Sequence, residues 1–194
     1  MSSNRTGISP RHREEHSDVA IPWRLNMTTR RQALGSLLLA AALPAARAQN
    51  VSKPWPAGRA VPPLAAVDLQ GQPWDVAALR GRAVLINFWA TWCAPCKEEM
   101  PTLQTLAELE GERLAVLAVN VREPLPRVRR YVQSAGLTLT VLPDPRGDIT
   151  QAWGMTVFPS TVLIDASGRP RRVVTGALDW TGAPARDWLA DLRG

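Results

Sequence analysis

A run of strand-forming residues, Val84 to Trp89, leads into a segment from Lys97 to Glu110 in which Met100, Leu103, Leu106 and Ala107 recur at helical spacing. The chain's only two cysteines, Cys93 and Cys96, sit at that junction, in Trp92-Cys93-Ala94-Pro95-Cys96-Lys97. A strand that hands over to a helix places the first cysteine at a helix N-terminus. The unpaired N–H groups and the positive end of the helix dipole there favour a thiolate, which is the reactive form of the side chain. Pro95 suits the first helical turn, where a missing N–H costs nothing. The spacing therefore predicts a strand–turn–helix unit carrying thiol–disulfide redox chemistry.

The ends of the chain narrow this further. Arg30-Arg31, the apolar stretch Leu34–Leu43 and the small residues Ala46 and Ala48 follow one another as the n-region, h-region and cleavage site of an export signal. Even taken from Ala33 to Ala46, the apolar stretch is 14 residues, short of the roughly 20 that span a bilayer. We expect a leader over 1–48, with a signal peptide of the twin-arginine type at 27–48 cleaved after about Ala48. Met27 is the expected start, so that 1–26 is not translated. No cysteine follows the leader to carry a lipid, so no stable membrane anchor is expected after cleavage, and a periplasmic location follows.

The leader also explains the charge. Seven arginines against three acids give residues 1–48 a charge of +4, while 16 basic and 14 acidic residues leave +2 for the rest. The high pI is thus mostly a property of the export signal and gives no support for a nucleic-acid partner. Both histidines, His12 and His16, lie upstream of the cleavage site. The mature chain accordingly lacks His-based zinc sites and His-dependent nucleophilic catalysis. An exported domain of this size does not need a disulfide across so short a loop for stability. The cysteine pair is there for chemistry, or by accident.

Along the mature chain, residues 49–61 are proline-rich and are expected to form a flexible lead-in to a single domain at 62–194. Leu64–Leu69 and Trp74–Val76 read as an N-terminal hairpin, and Leu114–Val121 as a strand covered on both faces. A helix is expected at Arg127–Ser134, a strand at Leu137–Leu142 and a short helix at Ile149–Trp153. A hairpin of Thr161–Ile164 with Arg171–Thr175 turns at Asp165-Ala166-Ser167-Gly168. An amphipathic helix at Asp179–Leu192, with Trp180 and Trp188, closes the chain. These elements give an α/β fold with a central mixed sheet flanked by helices. No internal repeat is present.

Trp92-Cys93-Ala94-Pro95-Cys96-Lys97 and the later Val157-Phe158-Pro159-Ser160-Thr161 together resemble the thioredoxin fold, in which a cis-proline lies beside the dithiol. Asn87-Phe88-Trp89-Ala90-Thr91-Trp92-Cys93 and Ala118-Val119-Asn120-Val121 narrow the resemblance to exported TlpA/ResA-like thioredoxins, over residues 62–192. The interval from Cys96 to Pro159 is longer than in a minimal thioredoxin, and an extra strand–helix insertion at 137–153 would fill it. The resemblance implies a thiol–disulfide oxidoreductase without cofactor or metal. Cys93 would be the exposed attacking thiol and Cys96 the buried resolving one. Phe158 and Pro159 would bind the substrate strand, and Trp92 would shield the site unless it is a core residue. Thioredoxin has a buried aspartate where this chain has Asn87, so proton handling is expected from elsewhere: Glu99 first, Glu123 second.

The implied partners are a protein disulfide substrate and a membrane electron donor of the thiol-reducing type, with cytochrome c maturation or copper-site assembly as the pathway and a monomer as the working unit. Two other chemistries use the same cysteines. One is a disulfide oxidant; the other is a copper(I)-binding chaperone with Met100 as a soft third ligand. A peroxidase would need a Thr-x-x-Cys context, which Thr91 and Cys93 do not supply.

Overall fold

The computed structural model describes residues 50–193; the expectations for the leader lie outside them. Strand β4 (Ala83–Trp89) is buried along its whole length, as is β5 (Leu114–Val121), and the two pair in parallel. Parallel neighbours need a crossover, and α1 (Ala94–Glu110) supplies it. Strand β6 (Thr140–Asp144) extends the parallel part; on the other side of β4, β7 (Ser160–Ile164) pairs antiparallel with β4 and β8 (Pro170–Thr175) antiparallel with β7. With β1 (Val51–Pro54), the sheet order is β1-β8-β7-β4-β5-β6. A separate antiparallel hairpin joins β2 (Ala65–Val67) to β3 (Pro73–Asp75). The expected mixed α/β fold is thus the observed one.

Side-chain alternation splits the core into two layers. Leu85 and Trp89 on β4, with Val116 and Ala118 on β5, face α1, α2 (Leu125–Ala135) and α4 (Ala183–Arg193). Val84, Ile86 and Phe88, with Leu117 and Val119, face the opposite side, where Trp153 follows α3 (Asp148–Ala152). Asn87 lies between Leu85 and Trp89 on the α1 side. Its register partner on β7 is Thr161, so two polar side chains stand opposite each other inside the apolar layer.

Three departures from the expected boundaries have a clear physical reason. The described residues of the proline-rich segment expected at 49–61 are tied down rather than a flexible lead-in: Val51–Pro54 pairs with Arg172–Thr175 as an edge strand. Extended, proline-containing chain is suited to an edge, where an N–H can be spared. Trp55 then packs edge-on against Trp153 at 5.8 Å, and Arg59 lies over Trp55. Strand β6 begins three residues later than expected, because α2 ends on left-handed Gly136 (φ 63°) and Thr138 donates its backbone N–H to Gln104 before pairing starts. The final helix begins at Ala183 instead of Asp179, since Asp179 accepts the N–H and hydroxyl of Thr181 in a local turn.

Candidate functional site

Cys93 is the N-cap of α1, with Ala94 and Pro95 opening the helix. Its Sγ accepts the backbone N–H of Cys96 at 3.3 Å and is bonded to Cys96 Sγ in a disulfide with Cα atoms 5.3 Å apart. A sulfur in that position meets the helix dipole as well as a directed N–H. Such a placement stabilises an anion by about 0.3–1 kcal/mol, and up to about 2 where partly buried. Cys93 retains 6% exposure and Cys96 none, so an incoming group can reach only the first sulfur.

The rim is apolar. Trp92 is 60% exposed, which removes the core alternative for it, and it meets the half-buried Phe158 edge-on at 6.2 Å. Trp92 and Phe158 also line one end of a cavity of about 500 Å³ reaching to Arg122 and Met155. The Phe158–Pro159 peptide is cis, and the Pro159 carbonyl accepts the N–H of Gly176 at 2.9 Å, which fastens this loop to the end of β8. Trp92 and Phe158 thus meet at the surface beside Cys93, while Cys96, Pro159 and Glu99 lie buried behind them.

Glu99 sits one turn after Cys96 on α1 and is 2% exposed. Asn87 Nδ2 donates to its Oε1 at 2.7 Å; the N–H of Leu178 (3.2 Å) and Trp180 Nε1 (3.1 Å) donate to its Oε2. Among the described residues no cation joins them. Burial pushes the carboxyl up to about 7, and these three donors only partly offset it. A carboxyl poised there can hold or release a proton at neutral pH, as a general acid or base must. The group opens toward solvent along a shallow cleft lined by Glu98, Thr102 and Asp179.

Glu123, the second candidate, has a different environment. It accepts the N–H and hydroxyl of Thr91 and Asn120 Nδ2, and pairs with Arg127 at 3.3 Å. With a cation and a main-chain donor, it anchors the turn that leads into Cys93. Arg127 is thus a structural ion-pair partner as well as part of the solvated face of α2. Met100 lies fully buried in the same core layer as both cysteines. Among the described residues no group of three or more His, Cys, Asp or Glu side chains gathers to hold a metal.

Two residues of the site escaped the sequence reading. The sequence pattern sets Trp180 on the final helix, whereas it precedes α4 and turns its indole N–H to Glu99. Asn87 was read as a departure that removed proton handling from β4, yet it is a direct partner of the titrating carboxyl. The alternation along β4, which sets Asn87 on the same face as Leu85 and Trp89, carried the signal for its inward orientation.

The family model described as Redoxin matches residues 47–186. The thiol-disulfide oxidoreductase ResA of Geobacillus thermodenitrificans (strain NG80-2) is 34% identical over 122 residues, covering 62% of this chain and 70% of the relative. Among solved structures, a thiol:disulfide interchange protein of the thioredoxin family from Chlorobium tepidum TLS superposes with a TM-score of 0.61 at 28% identity, over 69% of this chain and 95% of that one. A secreted Mycobacterium tuberculosis disulfide oxidoreductase homologous to E. coli DsbE gives 0.58 at 26% identity, over 66% and 96%. With a redox-competent Cys93–Cys96 pair at the head of α1, the chain belongs to the Redoxin family as a ResA-like thiol–disulfide oxidoreductase of the thioredoxin fold.

Proposed function

We propose that the protein reduces disulfides of exported polypeptides. The observation that carries this reading is Glu99, buried one turn from Cys96 with no cation partner among the described residues. An ionised carboxylate there works against a thiolate in the dithiol form. Stabilising the reduced thiolate is what makes such a couple oxidising, so Glu99 acts in the opposite sense and favours a reductant. The Cys93 thiolate attacks one sulfur of a substrate disulfide, forming a mixed disulfide and releasing the other substrate sulfur as a thiolate. Cys96, deprotonated with Glu99 as the proton acceptor, then attacks Cys93 Sγ. The substrate leaves as a dithiol and the protein as the Cys93–Cys96 disulfide. The substrate strand lies along Phe158 beside Pro159, with Trp92 covering its other side.

The same reading makes the chain an exported periplasmic protein, delivered by the twin-arginine leader at 27–48, cleaved after about Ala48 and working as a monomer. A thiol-reducing membrane donor returns its electrons, and cytochrome c maturation or copper-site assembly is the pathway. The relatedness to a secreted disulfide oxidoreductase supports export. Among the described residues no helix is long and apolar enough to cross a membrane.

The order of attack is tested with the purified variants Cys96→Ser and Cys93→Ser and a fluorescent peptide bearing one disulfide. Cys96→Ser is expected to accumulate a covalent adduct that dithiothreitol releases, and Cys93→Ser to form none. Adduct on Cys93→Ser alone would reverse the assignment of the two cysteines.

A further inference from the structure

Every partner of Glu99 is a donor. Leu178 N–H and Trp180 Nε1–H cannot accept a hydrogen bond, and Asn87 presents its NH2. The same NH2 also donates to Thr161 Oγ1 at 2.9 Å, while Asn87 Oδ1, fully buried, finds no partner among the described residues. This arrangement serves a carboxylate. It does not serve a carboxylic acid, whose O–H would face N–H groups with no protein acceptor beside it among the described residues.

Of these groups only Asn87 can change sign. A half-turn of its amide exchanges Nδ2 for Oδ1, and the carbonyl then faces both Glu99 Oε1 and Thr161 Oγ1. A protonated Glu99 can donate to it, and so can the Thr161 hydroxyl, which is able to play either role. We propose that Asn87 is a positioning residue whose amide rotates with the protonation of Glu99, so that the buried acid keeps a hydrogen-bonding partner on β4 in both states. Glu99 takes its proton from solvent through the cleft at Glu98 and Asp179; no covalent bond other than the O–H changes. This gives a physical reason for an amide at a position where an aspartate would add a second buried charge.

The titratable groups that face the pair come from α1 and from the loop before α4. Strands β4 and β7 contribute no titratable side chain to this layer. From α1 come Cys96, which does not titrate in the disulfide, and Lys97 and Glu98, which are exposed. From the loop before α4 comes Asp179, whose carboxyl is held low by the Thr181 hydroxyl. Glu123 reaches Asn120 rather than Asn87 and has Arg127 as a cation. The proposal concerns the proton and holds whichever way electrons flow through the cysteines.

The test is NMR on the purified oxidised protein, following the Glu99 carboxyl carbon and the Asn87 side-chain amide from pH 4 to 9. Above the Glu99 midpoint, cross-relaxation between the Asn87 amide protons and the Thr161 side chain is expected. Below the midpoint it is expected to vanish, with the amide shifts moving at that same midpoint. In Glu99→Gln, where the new NH2 needs an acceptor at all pH values, the contact should be missing throughout. Cross-relaxation that persists at every pH, an amide that does not follow Glu99, a Glu99 that does not titrate, or a Gln variant that keeps the contact would each overturn the proposal.

Discussion

Replacing Cys93 with serine reduces disulfide exchange to the uncatalysed background. Serine keeps the N-cap geometry, since its hydroxyl also accepts an N–H at a helix start. It cannot form the mixed disulfide. The cost to the fold is small by comparison. Opening a four-residue loop returns about 2 kcal/mol of chain entropy to the unfolded state, against the roughly 5–15 kcal/mol that holds an ordinary domain together. The variant should therefore stay folded and inert, with far-UV circular dichroism unchanged while reduction of a model disulfide is lost. Exchange at more than a few per cent of the wild-type rate would remove Cys93 from the mechanism.

The second large effect is on stability and depends on pH. Glu99 titrates near 7 in the folded protein against 4.5 in an ordinary environment. Between those values the native state holds a proton that the unfolded chain has released. Folding then takes up a proton, and stability falls as pH rises through this window. The term is fully present below about pH 4.5 and gone above pH 7, amounting to about 3 kcal/mol. Glu99→Gln should match the wild type near pH 4. Near pH 8 it should be more stable by up to about that amount, because no buried charge has to form. The check is the variant-minus-wild-type difference in urea-unfolding free energy at several pH values, which cancels the carboxylates elsewhere. A flat difference would show that Glu99 does not titrate as its burial demands.

How much of this could be seen in the sequence depends on the range of the interactions. The strand–Cys-x-x-Cys–helix unit was legible because its parts are contiguous and its periodicities distinct: β4 alternates within a wholly buried run, and α1 repeats Met100, Leu103 and Leu106. Pro159 was placed beside the site by resemblance alone, since 63 positions separate it from Cys96. The carboxyl network was only half visible. Glu99 stood out through its spacing from Cys96, but its donors come from residues 87, 178 and 180, joined by sheet register and a turn that no local pattern encodes. Trp180 was assigned to a helix because tryptophan and leucine at helical spacing fit one. Asp179 ends that pattern by bonding Thr181, and this competing local bond was decisive. Likewise the prolines of 49–61 signal extended chain, and only the free edge of β8 decides that this chain is paired.

A buried Cys96 and a buried acid one turn away tune the couple toward giving electrons, against the oxidising pull of the capped Cys93 thiolate. The most direct test is the reduction potential of the Cys93–Cys96 disulfide, measured by equilibrating the purified protein in dithiothreitol and glutathione buffers. A reversible two-electron couple near or below roughly −250 mV is expected. A value near about −120 mV, in the range of a strong oxidant, would contradict it and reverse the direction of electron flow.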